Sequence, residues 1–166
     1  MTRRELIGMG SVGVVALAVA GGYALMDKPA EAPAGSFPVH HGDAEWRARL
    51  TPAAYRVLRQ KDTETPFSSP LLNEHRPGTF ACAGCDTALF RSQAKYDSHT
   101  GWPSFWQAIP AAVTTRDDSS LGMSRTEVIC GTCGGHLGHL FDDGPKPTGL
   151  RYCMNGVAMR FQPAEA

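Results

Sequence analysis

Hydrophobic and polar positions divide the chain into segments with different periodicities. Residues 6–26 are uncharged and largely apolar. Between residues 43 and 61 apolar residues recur at helical spacing, so that Tyr55 and Leu58 share a face expected to pack on the core. From about residue 79 onward they fall in short or alternating runs, which are typical of strands. The pattern predicts a short helical preface followed by a β domain.

Two short helices are predicted at the start of this domain. Asp43 is the expected N-cap of a turn that carries Trp46 and Leu50. Thr51 followed by proline has the sequence of a second N-cap with proline at the first helical position, leading into "AAYRVLRQK". No long helical pattern follows residue 61.

Seven short runs beyond the helices are predicted as strands. They are "TFAC", "TALF", "AAVTTR", "MSRTEVIC", "HLFD", "LRYCM" and "VAMRF", separated by turn pairs such as Pro-Gly and Asn-Gly. Strands do not alternate with helices, which argues against a doubly wound parallel sheet. The sequence therefore predicts a mainly β, mostly antiparallel domain.

The first 39 residues are predicted to lie outside the domain, which would span residues 40–166. Arg3 and Arg4 precede the apolar stretch 6–26, and a Pro/Ala-rich linker, "DKPAEAPAGSFP", follows it. Paired arginines before a moderately apolar stretch are typical of a twin-arginine export signal. The alternative is a membrane anchor, because about 20 apolar residues can span a bilayer. Either would place the domain outside the bacterial cytoplasm, in the periplasm or another extracytoplasmic location, and an anchor would hold it at the membrane through residues 6–26.

The overall charge excludes one class of partner. The 166-residue chain carries 16 Lys and Arg against 16 Asp and Glu, and its length suits one folded domain, expected to be a monomer. Without a positive excess, electrostatic binding to nucleic acid is not expected, and membrane contact would be confined to the N-terminal segment. A zinc-ribbon nucleic-acid protein is therefore disfavoured.

Four of the five cysteines form two C-x-x-C motifs separated by 44 residues: Cys82, Cys85, Cys130 and Cys133. Each turn directs two sulfurs to one side, and two such turns can complete a tetrahedral four-thiolate site for one structural Zn(II). Disulfides or redox dithiols are the alternative in an oxidising compartment. No long helix follows either motif to lower a thiol pKa, which favours zinc.

Cys153 remains outside these two pairs. A lone cysteine is more often an inert buried side chain than a nucleophile. Here Arg151 and Asn155 share its face on a predicted strand, because both lie two residues away. A guanidinium favours the thiolate, and an amide can hold a substrate oxygen or a water. The pattern predicts an activated nucleophile.

Several motifs occur together in this chain: the stretches "GWPSFW", "CGGHLGHLFDDGP" and "RYCMNGVAMRF", and the two C-x-x-C pairs. In this combination the chain resembles the B-type peptide methionine sulfoxide reductases. The resemblance extends from about Asp43 to Gln162. It implies two antiparallel β-sheets, a zinc site away from the active site, and thiol-dependent reduction of methionine R-sulfoxide, free or in oxidised proteins; one enzyme type serves each epimer. The same fold also occurs in zinc-stabilised, non-catalytic modules that bind peptides or small ligands, which is the alternative function.

The resemblance also implies roles for individual residues. Cys153 would attack the sulfoxide sulfur and become a sulfenic acid. His139, with its neighbour His136, would supply a proton to the sulfoxide oxygen. Trp102 would form the apolar wall that receives the methyl group, whereas Trp106 is expected in the core.

Three polar residues would assist this chemistry. Arg151 would favour the thiolate, and Asn155 would orient a polar group or water at the sulfoxide oxygen. Asp143 would support the substrate site by holding a histidine or the arginine.

Thr100 occupies a position at which many members of the family carry a second, resolving cysteine. A hydroxyl cannot take part in thiol–disulfide exchange, and the other four cysteines are assigned to zinc. The sulfenic acid on Cys153 is therefore expected to be resolved by an external reductant, either a thioredoxin-like domain or a small thiol.

Overall fold

The computed structural model describes residues 37–165, with the exception of the side chain of Leu121. The predicted export signal or anchor, including residues 6–26, lies outside the described residues. Val39, at the end of the predicted linker, donates a backbone hydrogen bond to the Thr132 carbonyl at 2.9 Å and packs against the core. Within the described part of the chain, no helix is both long enough and apolar enough to cross a bilayer.

Two α-helices open the domain, α1 (Asp43–Arg49) and α2 (Pro52–Gln60). Thr51 is the N-cap of α2 as predicted, and its Oγ1 accepts a hydrogen bond from the Ala54 N–H at 3.2 Å. The prediction for α1 was wrong, because Gly42 is its N-cap and Asp43 is its first helical residue. The Asp43 carboxylate instead pairs with Arg47 one turn later, at 2.8 Å.

Nine strands follow in the described residues: β1 (Gly78–Cys82), β2 (Ala88–Arg91), β3 (Lys95–Tyr96), β4 (Ser104–Phe105), β5 (Val113–Asp118), β6 (Arg125–Cys130), β7 (His136–Phe141), β8 (Arg151–Met154) and β9 (Met159–Pro163). They form a three-stranded sheet ordered β2-β1-β9 and a six-stranded sheet ordered β3-β4-β8-β7-β6-β5, in which the paired strands are antiparallel. The predicted mainly β fold with two antiparallel sheets is confirmed. The two-residue strands β3 and β4 were not predicted, because they are too short to show alternation.

An aromatic core joins the two sheets. Phe90 of the smaller sheet stacks on Phe105 of the larger sheet with ring centroids 4.3 Å apart, and Tyr152 of β8 meets Phe90 edge-on at 5.6 Å. Tyr152 and Met154 are buried, so the alternate residues of β8, including Cys153, face the other side of the sheet.

Trp106 does not occupy the core position that was predicted for it. Phe105 is fully buried there, whereas Trp106 is half-buried and lines a surface groove with Arg91 and Pro110. Side chains alternate along the extended backbone, so only one of these two adjacent aromatic residues can face the core.

Candidate functional site

The four paired cysteines converge at one point. The sulfurs of Cys82 and Cys133 are 3.7 Å apart and those of Cys85 and Cys130 are 3.5 Å apart, with all four sulfurs within 4.8 Å of one another. A disulfide requires about 2.05 Å. The observed separations instead approach the sulfur–sulfur edge of about 3.8 Å expected around a tetrahedral metal with sulfur ligands at about 2.3 Å. These residues could hold a metal ion.

The cysteine cluster connects the two sheets. Cys82 ends β1 in the smaller sheet and Cys130 ends β6 in the larger sheet, while the other two cysteines lie in the turns that follow. The backbone N–H of Gly84 donates to the Cys82 sulfur at 3.4 Å, an arrangement that stabilises a thiolate ligand. The cluster therefore occupies a structural position, and Cys153 is not part of it.

A cavity of about 150 Å³ opens beside Cys153. Its walls contain Thr63, Trp102, Arg125, Gly138, His139, Phe141, Cys153 and Asn155. Four of the residues predicted for the site are thus brought together. The other three, His136, Arg151 and Asp143, do not line the cavity.

Cys153 lies at the centre of the six-stranded sheet. It is directly opposite His139 of β7 on one side and Ser104 of β4 on the other. Its sulfur is 3.8 Å from Thr100 Oγ1. Burial raises the pKa of the Cys153 thiol above its ordinary value; Thr100 and Arg151 act in the opposite direction but do not offset burial. Arg151 therefore favours the thiolate, as expected, but its charge does not bring the pKa of Cys153 below the ordinary value.

A β-bulge brings the two histidines of β7 to the same side. His136 and Gly138 pair with consecutive residues of β6, so Leu137 is an extra residue in the strand. Residues three apart in a regular strand face opposite sides. Because of the bulge, the imidazole rings of His136 and His139 instead meet edge-on, with centroids 5.4 Å apart.

Each histidine contacts a carboxylate from another strand of the same sheet, β5 for His139 and β6 for His136. His139 Nε2 lies 2.8 Å from Asp118 Oδ2, and His136 Nδ1 lies 2.7 Å from Glu127 Oε1. His136 is only 3% exposed and lies behind His139 rather than at the cavity. The geometry therefore places His139 where it can meet a ligand and gives His136 a supporting position.

Glu127 is a buried carboxylate shared among three partners. Besides His136, it accepts hydrogen bonds from Arg116 at 2.6 Å and from Lys61 at 3.0 Å. Burial alone would raise the pKa of Glu127, but these partners outweigh burial and hold the pKa well below its ordinary range. Glu127 therefore remains ionised beside the histidine pair at neutral pH.

Asp143 supports the arginine rather than a histidine. Its carboxylate accepts two hydrogen bonds from Arg151, at 2.7 and 2.8 Å. The Arg151 guanidinium also lies 4.2 Å from the centroid of the Phe141 ring, which lines the cavity. Asp143 thus orients Arg151, whose positive charge acts to lower the pKa of Cys153.

Asn155 anchors the backbone around the cavity. Its Nδ2 donates to the carbonyl of the bulge residue Leu137 at 3.1 Å, and its Oδ1 accepts from the Glu64 N–H at 2.9 Å. The Glu64 carbonyl in turn accepts from Trp102 Nε1 at 3.1 Å. The segment around Glu64 therefore links the tryptophan wall to the end of β8.

Comparison with known proteins agrees with this geometry. A family model described as the SelR domain matches residues 50–163. A protein named "Peptide methionine sulfoxide reductase MsrB" from Leptospira interrogans is 50% identical over 128 residues, which cover 76% of this chain and 98% of that relative. A protein of the same name from Agrobacterium fabrum is 52% identical over 126 residues, covering 75% and 93%, respectively. The chain belongs to the B-type peptide methionine sulfoxide reductases.

In this reductase the family match includes the whole cavity and the cysteine cluster, since both lie within residues 50–163. The resemblance stated from the motifs is thus confirmed. Sequence reasoning missed several residues of the site: Thr63, Glu64, Asp118, Arg125, Glu127, Gly138 and Phe141. A signal existed for Arg125 and Glu127, because two charges at alternate positions of a mostly buried strand, β6, require polar partners on one face of the sheet.

Proposed function

We propose that this reductase converts the R epimer of methionine sulfoxide, free or in oxidised proteins, to methionine at Cys153. The observation that carries the proposal is the placement of Cys153 opposite His139 in a cavity walled by Trp102 and Phe141. This combines a nucleophilic sulfur, a titratable proton donor and apolar rings that can receive a methyl group. The names of the relatives provide the reaction class.

The chemical step transfers oxygen from the substrate to the cysteine. The Cys153 sulfur attacks the sulfoxide sulfur, and the net products are the thioether and a Cys153 sulfenic acid, so the substrate is reduced by two electrons and the cysteine is oxidised by two. Because burial favours the protonated thiol, its proton has to leave as the attack proceeds. His139 is the titratable group opposite Cys153 and supplies a proton to the sulfoxide oxygen.

An external thiol completes the cycle. It attacks the sulfenic sulfur of Cys153, releases water and leaves a mixed disulfide, and a second thiol then regenerates Cys153. Thr100 contacts the Cys153 sulfur and occupies the position at which many family members carry a resolving cysteine, but its hydroxyl cannot form a disulfide. A thioredoxin-like protein or a small thiol is therefore the reductant.

The cysteine cluster holds one structural Zn(II). Four sulfur donors in a closed arrangement suit zinc, and the cluster links the two sheets without reaching the cavity. The zinc would stabilise the fold and take no part in oxygen transfer.

Residues 1–39 direct the enzyme out of the cytoplasm, to the periplasm. The paired Arg3 and Arg4, the apolar stretch 6–26 and the Pro/Ala-rich linker support this proposal. Fractionation of a bacterial host and N-terminal sequencing of the recovered protein test it. Recovery of all the protein in the cytosol with an intact N-terminus would contradict it.

An assay on separated R and S epimers of methionine sulfoxide with dithiothreitol tests the reaction and the nucleophile together. We expect reduction of the R epimer only, and its loss in Cys153→Ser; the S epimer is the internal control, and circular dichroism confirms that the variant is folded. A non-catalytic binding module would bind sulfoxide and leave it unchanged. Equal activity in Cys153→Ser would overturn the assignment of the nucleophile.

A further inference from the structure

Asp118 is the last residue of β5 and Arg125 is the first residue of β6, so the two flank the hairpin loop, and Asp118 contacts His139. The two residues are cross-strand partners, and Arg125 Nη2 lies 2.8 Å from Asp118 Oδ2. The same carboxylate oxygen lies 2.8 Å from His139 Nε2. Arg125 also lines the cavity, so one carboxylate oxygen connects a cavity arginine to the cavity histidine.

The shared carboxylate restricts the protonation states of His139. Hydrogen bonds from the Ser120 hydroxyl and from His139, together with the Ser120 N–H, hold the pKa of Asp118 well below its ordinary range, so the carboxylate is ionised near neutral pH. An ionised carboxylate only accepts hydrogen bonds. Nε2 of His139 must therefore carry a hydrogen in both the neutral and the protonated ring. Nδ1, for which the described residues provide no hydrogen-bond partner, is left to gain and lose the second proton.

We propose that Asp118 and Arg125 are positioning residues that fix the tautomer of His139 and control its second proton in opposite directions. Asp118 stabilises the imidazolium by its negative charge, and Arg125 opposes it by its positive charge. The proposal extends the proposed function, because it assumes that His139 is the proton donor.

The remaining groups around His139 are consistent with control by this pair. Charged or titratable residues approach it from its own strand and from three others in the sheet: Asp118 of β5, Arg125 and Glu127 of β6, His136 of β7 and Cys153 of β8. Glu127 is already bound by His136, Arg116 and Lys61. Burial lowers the pKa of His139, the hydrogen bond to Asp118 raises it, and the charge of Arg125 lowers it.

Histidine NMR on the full, reduced, zinc-containing chain tests the proposal without relying on activity. Long-range ¹H–¹⁵N spectra identify which ring nitrogen carries the hydrogen, and His139→Gln assigns the signal. We expect the Nε2–H tautomer in the native protein. Asp118→Asn should move the His139 titration to lower pH, and Arg125→Gln should move it to higher pH. Arg125→Lys keeps the charge and should stay close to the native titration.

Asp117→Asn is the matched control, because it removes the same charge one residue away on the opposite face of β5. It should leave the His139 titration unchanged. An Nδ1–H tautomer in the native protein, or shifts in the same direction for Asp118→Asn and Arg125→Gln, would overturn the proposal. A purely structural role would not produce opposite shifts.

The pH dependence of kcat/KM provides the second readout. The reaction needs the protonated form of His139, so kcat/KM should decrease as the pH is raised through the His139 titration. Compared with the native enzyme, this decrease should begin at a lower pH in Asp118→Asn and at a higher pH in Arg125→Gln. At neutral pH, Asp118→Asn should lose up to roughly 100-fold in kcat/KM, since general acid catalysis contributes roughly 10²- to 10⁴-fold. If the native chain reduces no sulfoxide while the NMR shifts are opposite, the proposed function fails and the positioning role stands.

Discussion

His139 lies directly opposite Cys153 across the antiparallel pair β7–β8, on the face of the sheet that points away from the aromatic core. Opposed residues in such a pair have Cβ atoms about 5 Å apart. The same line of cross-strand neighbours includes Ser104 of β4, opposite Cys153, and Glu127 of β6, opposite His139. The proposed nucleophile and the proposed proton donor are thus held by the backbone ladder of four adjacent strands, and the relationship does not depend on a loop.

The Cys153 thiol should react slowly with alkylating agents at neutral pH. Burial raises its pKa, and only the thiolate reacts, so the midpoint of the iodoacetamide rate against pH should lie above the value of about 8.5 for a free cysteine. Arg151→Met should move the midpoint further up, because a favourable positive charge is lost. Asp143→Asn, which keeps that charge, is the control and should not raise it. A native midpoint below that of free cysteine would contradict the burial effect.

Single turnover without reductant should leave a sulfenic acid on Cys153. Mass spectrometry after dimedone trapping should find the adduct and no intramolecular disulfide. Because Thr100 Oγ1 is 3.8 Å from the Cys153 sulfur, Thr100→Cys should form a disulfide with Cys153 and lose the adduct. Thr100→Ser is the matched control and should retain the adduct. A disulfide between Cys153 and a cluster cysteine in the native protein would contradict the proposal that an external thiol resolves the sulfenic acid.

Removal of zinc should destabilise the domain. The purified protein should contain about one zinc per chain, and stripping it with a chelator should cost about 3 kcal/mol or more, roughly 10 °C in Tm for a domain of this size. Cys82→Ser should behave like the stripped protein, because Cys82 ties β1 to the cluster. Metal analysis and thermal unfolding provide the measurements. Metal-free protein with an unchanged Tm would show that the four thiols do not need a metal.

Glu127→Gln should destabilise the fold far more than the loss of a surface carboxylate. Glu127 is 1% exposed and bound to three partners, so removing its charge at pH 7 should cost about 3 kcal/mol. Glu45→Gln, in an exposed ion pair with Arg49, is the matched control and should cost less than about 1 kcal/mol. Urea unfolding measures both variants.

The cost of Glu127→Gln should also depend on pH in a defined direction. The folded-state pKa of Glu127 is lowered, so its stabilisation is complete above the unfolded carboxyl pKa of about 4.3 and is lost as the pH falls toward the folded value. The difference between native protein and variant should therefore shrink between about pH 4 and pH 2. A difference that stays constant over this range would contradict the assigned ionisation.

Several features could be predicted because they depend on residues close together in the chain. Thr51 followed by proline set the start of α2, and each C-x-x-C turn aligned its own two sulfurs. The two-residue period of a strand placed Arg151 on the same face as Cys153. In each case local backbone geometry alone fixes the relative direction of the side chains.

Other features required the assembled sheet. A sequence written as "HLGH" puts His136 and His139 on opposite faces of a regular strand, and only pairing with β6 reveals the bulge at Leu137 that turns them to one side. Phe105 rather than Trp106 faces the core, and only the pairing of β4 with β8 shows that Phe105 lies opposite the buried Tyr152. Register is a property of two strands, so neither outcome is encoded at one position.

The chain alone was sufficient to predict the family and the grouping of the cysteines and to propose Cys153 as the nucleophile, since these depend on residue type and short spacing. The hydrogen-bond partner of His139 could not be predicted from residue type and short spacing. Asp118 lies 21 residues before it along the chain and reaches it only because β5, β6 and β7 are adjacent in the sheet. The burial that raises the Cys153 pKa likewise arises from segments distant in sequence. Electrostatic control of the site therefore arises from packing, because charge and desolvation act through space rather than along the chain.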